Sequence, residues 1–401
     1  MSEKLEIKLG ELLNSLSYSL DIAENRYYGH SRRTAYIAYN IARKIGLDNK
    51  DIMDIYYASL IHDIGMAGYM SNYSIIDIHY RKDLKMKHCK LGSEIIEELP
   101  LSPNISKYIL YHHENLIGSG PFGLKGDEIP LGSQIIHLAD YFEIFFMRKL
   151  DFSQHSYNIG IFTKWLKEYR DTVFSGELSH ILLDLLKTEK FWLDLKLENL
   201  GSALNIIEKD NPTTIDIYEL SSISETFSLI IDAKSRFTYE HSKGVSKYAR
   251  DFAKYLAYDD IMVEKLTIAA NLHDIGKFVV PSDILEKPKK LSDEEFLIMK
   301  SHVYYSKLIL KQIEGLEDIA EWAGNHHEKL NGKGYPEKLD ERDLTKEDQV
   351  IALADIYQAL VEDRPYRKGM ETKKALGIMD NMAKGGYISS IMLGDFRQLV
   401  L

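Results

Sequence analysis

Apolar residues recur at three- and four-residue spacing along most of the chain. "SRRTAYIAYNIARKIG", "EEFLIMKSHVYYSKLILKQI" and "IALADIYQALVE" each place them on one face of a helix. Strict apolar–polar alternation between turn residues, the signal of strands, is scarce. The pattern predicts an all-α protein. At 401 residues the chain exceeds one ordinary core, so two domains of roughly 200 residues are expected.

The helical pattern is also duplicated. "HSRRTAYIAYNIARKIGLDNKDIMDIYYASLIHDIGM", from His30, aligns without a gap on "HSKGVSKYARDFAKYLAYDDIMVEKLTIAANLHDIGK", from His241. Small or apolar positions coincide, among them Ala38 with Ala249, Ala42 with Ala253 and Ala58 with Ala269. His62 stands 32 residues after His30, and His273 stands 32 after His241. His88 precedes the pair His112-His113 by 24 residues, and His302 precedes His326-His327 by the same 24. "LAD" then ends at Asp140 in one half and Asp355 in the other. Ten of the 14 histidines fall on these matched positions; His79, His137, His155 and His180 do not and read as ordinary surface or core histidines. The join between copies is expected near "LENLGSALNIIEKDNPTT", where Gly201, Asn211 and Pro212 interrupt the pattern. Domains at 1–205 and 213–401 follow, the helix "TIDIYELSSISETFSLIIDAKSR" leading into the second.

Composition narrows the function. A net charge of −11 repels polyanions, which argues against polymeric nucleic acid as a partner but not against a small anionic nucleotide held by local cations. No apolar run approaches the ~18–20 residues that cross a bilayer, so no membrane span is expected, and the start "MSEKLEIKLGELL" is too charged for a secretory signal. The single cysteine, Cys89, excludes an internal disulfide framework and suits a cytoplasmic location.

The repeated residues carry the candidate chemistry. The second copy offers His241, His273, Asp274, His302, His326, His327 and Asp355. Imidazoles and carboxylates without thiolates suit Fe, Mn, Zn or Co. One His-Asp dipeptide carries no information, but seven ligand-type residues repeated in order do. Seven are too many for one ion with room for substrate and about right for two. Neighbours on a helix point ~100° apart, so His326 and His327 would reach different ions, and Asp274 is the natural bridge. Two metals ~3.5–4 Å apart can activate water and stabilise both oxygens of an in-line phosphoryl displacement. Lys277, one turn after His273, would project toward a phosphate oxygen. The turn "NGKGYP" adds backbone amides, a cation at Lys333 and an aromatic plate at Tyr335, which suits a nucleotide.

"HDIGK", "HHEKLNGKGYP" and "LADIYQALVEDRPYR" together resemble the HD-GYP family, a branch of the HD phosphohydrolases. The resemblance covers about 230–390 and, more weakly, about 20–195. It implies two tandem helical bundle domains of HD type, the first degenerate in its substrate motifs. It also implies two or three metals, often iron or manganese, and hydrolysis of cyclic dinucleotides, chiefly cyclic di-GMP. Carried over, the seven residues above are the metal ligands and Asp274 is the bridge. Lys277 serves the scissile phosphate, and Gly334, Tyr335 and Pro336 are the motif that names the family. Arg364 and Arg367 match positions that bind phosphate or guanine. Phe237 stands where three-metal members have glutamate, which favours two metals. Gly244 replaces a family arginine.

The first copy retains His30, His62, Asp63, His88, His112, His113 and Asp140, a second candidate site for two more ions. Met66 replaces Lys277; Ser119, Pro121 and Phe122 replace Lys333, Tyr335 and Pro336; Lys149 and Phe152 stand where the arginines would be. This copy is expected to be structural or regulatory, with a different hydrolase, or an iron redox or oxygen sensor assisted by Cys89, as alternatives. The expected activity is a cyclic di-GMP phosphodiesterase yielding the linear dinucleotide, with a further cut to GMP open. A hydrolase of the mixed cyclic GMP-AMP dinucleotide and a non-catalytic cyclic-dinucleotide effector are the rivals. A homodimer or a signalling-protein partner is open, and the input signal would enter through the first copy or through a partner.

Overall fold

The computed structural model describes residues 6–23, 29–66, 73, 75–147, 155–234, 241–287, 289–363 and 368–401. Helices dominate, and the one sheet among the described residues is a two-stranded antiparallel pair, Ile7–Lys8 with Thr214–Ile215. Two compact units result: one is Leu9–Thr213, and the other joins the amino-terminal strand to Thr214–Leu401.

Each unit is built on the same helices. In the first, His30–Ile45 packs on Asn49–Leu60 and Leu131–Phe145, and Lys82–Glu97 packs on Pro103–Tyr111. In the second, His241–Tyr255 packs on Asp260–Leu272 and Lys346–Val361, and Asp293–Leu310 packs on Glu317–Gly324. The spacing that predicts these helices is the spacing that fills the cores. Ala38, Ala42 and Ala58 are fully buried, as are Ala249, Ala253 and Ala269, and their small side chains let the helices approach closely.

Local signals are duplicated with the helices. Asp48 and Asp259 each cap the second helix of their copy, accepting from the amides of Asp51 and Met262 at 2.8 Å, which satisfies a donor the helix start would leave orphaned. A further carboxylate ties down the helix that opens each repeat. Asp21 accepts from the Ser31 hydroxyl at 3.0 Å, and Asp232 accepts from the Ser242 hydroxyl at 2.8 Å.

The join differs from the sequence expectation in one respect. Helix Leu197–Asp210 runs straight through Gly201 and ends at Asn211. A helical glycine costs only about 1 kcal/mol relative to alanine, and the buried stripe Leu200, Ala203, Leu204 and Ile207 outweighs it. Asn211-Pro212 makes the break, and Asp216 then caps helix Ile217–Ala233. No helix among the described residues is long and apolar enough to cross a membrane.

Candidate metal centre

The His-Asp dipeptides sit where the second helix of each repeat turns into a short 3-10 turn, Ile64–Met66 and Ile275–Val279. That turn lies on the next helix with no room for a side chain. A Cβ on Gly65 would meet the His88 carbonyl at 2.1 Å, and one on Gly276 would meet the His302 carbonyl at 1.9 Å. The glycine of the motif therefore brings His62 and Asp63 against His88, and His273 and Asp274 against His302.

Half of the ten candidate imidazoles are aimed by one device. His62, His112, His273, His302 and His326 each place Nδ1 2.6–2.8 Å from the carbonyl three residues earlier. An Nδ1–H donated there leaves Nε2 as the lone-pair nitrogen, turned inward. In the second copy one oxygen of Asp274 lies 3.1 Å from His273 Nε2 and the other 3.3 Å from His302 Nε2. Asp355 faces His241 Nε2 at 3.1 Å and His327 Nδ1 at 3.9 Å. All seven residues singled out in that copy converge, and six of them are buried; the His327 side chain is 32% exposed and opens the site on one side. In the first copy Asp63 lies 3.4 Å from His30, 3.3 Å from His62 and 3.8 Å from His88.

Protonation divides the imidazoles: burial lowers His30, His62 and His273, but the neighbouring carboxylates outweigh it and hold all three above the ordinary histidine value, while others fall. Burial pushes His302 down to about 4, against the pull of Asp274, and pushes His326 well below the ordinary histidine value. His88 falls to about 3 and His112 to about 4 for the same reason. Burial alone would raise Asp274 and Asp355, but Lys277 and neighbouring histidines hold Asp274, and His241 with the other histidines holds Asp355, below the usual carboxylate range. Neutral imidazoles and ionised carboxylates are the forms that ligate metal. His241 rises to about 9: burial lowers it, but Asp355 and Glu362 outweigh that.

Buried lone pairs give the fit test. Nε2 of His112 and Nε2 of His326 have no hydrogen-bond partner, and neither ring nitrogen of His113 has one. Burying such groups unpaired is costly, and a divalent ion would satisfy them. Trios whose ligand atoms lie within 4.8 Å of one another include the three histidines His302, His326 and His327, and His30 with His62 and Asp140. The residues present fit metal in both copies.

Around the second-copy cluster, Lys277 reaches Asp274, and its ammonium is held above the ordinary lysine value because Asp274 outweighs burial. The turn carrying Lys333, Gly334, Tyr335 and Pro336 is shaped by Glu328, which accepts from the amides of Glu337 (2.6 Å), Lys338 (3.0 Å) and Leu339 (3.1 Å). Tyr335 lies 5.0 Å from the His327 ring. A cavity of about 620 Å³ opens beside it, lined among others by Phe296, Lys300, Lys329, Lys333, Tyr335 and Lys338. Lys300 sits over both the Phe296 and Tyr335 rings, at 4.8 and 5.5 Å. Lys149, Phe152, Phe237, Arg364 and Arg367 lie outside the described residues.

Sequence reasoning missed several partners. Glu114 shapes the first copy's turn as Glu328 shapes the second, accepting from the amides of Phe122 (2.6 Å) and Leu124 (2.7 Å). Both glutamates follow the histidine pair directly, so the signal was present in "HHE". Gly244, unexplained in the sequence, now has a reason. In the first copy Arg33 and the His30 Nδ1 share the buried carboxylate of Glu143, His30 at 2.5 Å. In the second, Gln358 replaces that glutamate, and a Cβ on Gly244 would sit 2.1 Å from its side-chain carbon. The carboxylate has moved to Glu362, which lies 3.0 Å from His241 Nδ1. His79 and His137, read as surface or core histidines, are core: both are buried beside the first cluster, their rings 4.9 and 5.8 Å from His113. Only their absence from the second copy made them look ordinary.

Comparison with known proteins agrees with this geometry. Two HD-domain family profiles match, one over residues 27–144 and one over 225–389. The chain is 28% identical, over 96% of its length and 90% of the relative's, to a protein of Vibrio cholerae named 3'3'-cGAMP-specific phosphodiesterase 1. A Thermotoga maritima protein named cyclic di-GMP phosphodiesterase is 31% identical over 47% of this chain and 52% of its own. Among solved structures, a cyclic GMP-AMP specific phosphodiesterase of V. cholerae (V-cGAP3) superposes with a TM-score of 0.70 at 26% identity, covering 98% of both chains. The duplicated helices, the duplicated His-Asp clusters and the two profile matches place the chain in the HD-domain family, with the domain present twice.

Proposed function

We propose that the chain is a metal-dependent phosphodiesterase whose C-terminal copy opens a 3'3'-linked cyclic dinucleotide, with the mixed guanine–adenine dinucleotide preferred. The supporting observation is the extent of likeness. Two relatives named for that substrate match 96% and 93% of this chain, both copies included. The T. maritima relative named for cyclic di-GMP matches 47%. Cyclic di-GMP remains the second reading, favoured by the resemblance of "HHEKLNGKGYP" to the family signature.

His241, His273, Asp274, His302, His326, His327 and Asp355 would hold two divalent ions, iron or manganese, with Asp274 between them. When bound, such ions supply Lewis acidity for the attacking water and the phosphorus. Lys277, beside Asp274, neutralises charge on a phosphate oxygen as it develops. Tyr335, with Phe296 and Lys300 alongside, offers a purine a stacking face and a cation, and Lys333 and the amides of Gly334 meet phosphate. Pro336 shapes that turn. Arg364 and Arg367 are assigned by resemblance, as guanidinium forks for phosphate or guanine. The N-terminal copy binds metal through His30, His62, Asp63, His88, His112, His113 and Asp140 and lacks the lysine, so it is structural or regulatory.

Side-by-side turnover of the mixed dinucleotide, cyclic di-GMP and cyclic di-AMP by metal-loaded protein tests the reading. The mixed substrate is expected to give the highest kcat/KM, with the linear dinucleotide appearing first. Equal or faster turnover of cyclic di-GMP would move the assignment to the second reading, and turnover of none would end it.

A further inference from the structure

The N-terminal cluster holds more histidine than the repeat accounts for. His79 projects from helix Ile75–Tyr80, is 4% exposed, and places Nε2 2.8 Å from one oxygen of Asp140. The other oxygen of Asp140 faces His30 and His62, at 3.5 and 3.8 Å. Ligand atoms of His79, His113 and Asp140 lie within 4.8 Å of one another, and His113 is the imidazole with neither nitrogen satisfied.

The second copy is built differently at this place. Its short helix there, Ser282–Leu285, has four residues against six, and carries no histidine. Asp355 faces the half-open His327 instead. Every candidate ligand of the first copy, His79 included, is at most 4% exposed. Met66, in the position of Lys277, packs with Ile78 and Leu84 in a buried apolar cluster. Where the second copy has a lysine the first has an apolar cluster, and helix Ile75–Tyr80 carries both Ile78 of that cluster and the extra histidine.

We propose that the N-terminal copy holds divalent metal in an enclosed centre in which His79 is an additional ligand, acting with His113 and Asp140, and which admits no nucleotide. Closed protein ligation is the mark of structural sites, whereas catalytic sites keep a position open. The donor set, imidazole and carboxylate, suits Mn, Fe, Zn or Co. The proposal does not depend on which reaction the C-terminal copy performs.

The test is the rate at which full-length, Mn-loaded protein gives up metal to excess EDTA. Two phases are expected, a fast one from the half-open C-terminal cluster and a slow one from the enclosed cluster. His79→Ala is expected to speed the slow phase by at least about tenfold, the scale on which weakening a metal's surroundings acts. His79→Asn, which keeps a polar side chain, is read the same way if a thermal melt shows the alanine variant unfolded. A single fast phase in the wild type overturns the enclosed centre, and a slow phase untouched by either variant overturns His79 as a ligand. Cobalt-loaded protein adds a readout that a purely structural role would not move: loss of an imidazole ligand changes the visible bands. Identical bands in wild type and variant overturn the assignment even if release is faster.

Discussion

A histidine set for metal hides one nitrogen and presents the other, and five imidazoles here do so through the carbonyl three residues back. Because these residues keep their type in both copies, the repeated spacing made them legible without coordinates. Glu362 was not legible, because its counterpart Glu143 sits at a different register and the two never align. His79 was invisible for the same reason. Lys277 is where the two copies part chemically, and it yields the prediction at this scale. Lys277→Met, which installs the residue found at Met66, is expected to lower kcat by about 10²–10³-fold, as loss of one charge-stabilising group does. Metal content should be unchanged. Loss of metal together with activity would show that Lys277 orients Asp274 rather than serving the phosphate.

Elements were read well from apolar periodicity, because each helix buries a face against a partner within its own unit. Gly201 misled because a glycine signals a break only where burial does not oppose it. The duplicated helix ends hold a difference that periodicity cannot show. Gly46 closes the first long helix of copy one in the left-handed region at φ 82°, and the aligned residue in copy two, Ala257, takes φ 59°. An L-residue pays about 1–2 kcal/mol there, partly offset by the extra freedom of glycine in the unfolded chain. Ala257→Gly is therefore expected to stabilise the protein by about 0.5 kcal/mol, seen as a raised urea midpoint at constant m-value. An unchanged or lower midpoint would contradict the left-handed assignment.

At the scale of the whole molecule, duplication followed by divergence explains the arrangement. Both copies retain the geometry that gathers imidazoles around buried carboxylates. One has Lys277, Tyr335 and a lysine-lined cavity beside the half-open His327, and the other has Met66 buried with Ile78 and Leu84. The sequence showed the loss of the substrate residues but not what replaced them, since closure depends on a short helix whose pattern has no repeat partner. The account thus assigns turnover to one copy alone. The most direct test is cyclic-dinucleotide hydrolysis by Asp274→Ala and Asp63→Ala, each purified as the full chain with its metal counted. Asp274→Ala is predicted to abolish turnover and lose metal from the C-terminal cluster, while Asp63→Ala loses N-terminal metal and still hydrolyses substrate. Hydrolysis that survives Asp274→Ala but disappears with Asp63→Ala would contradict the account outright.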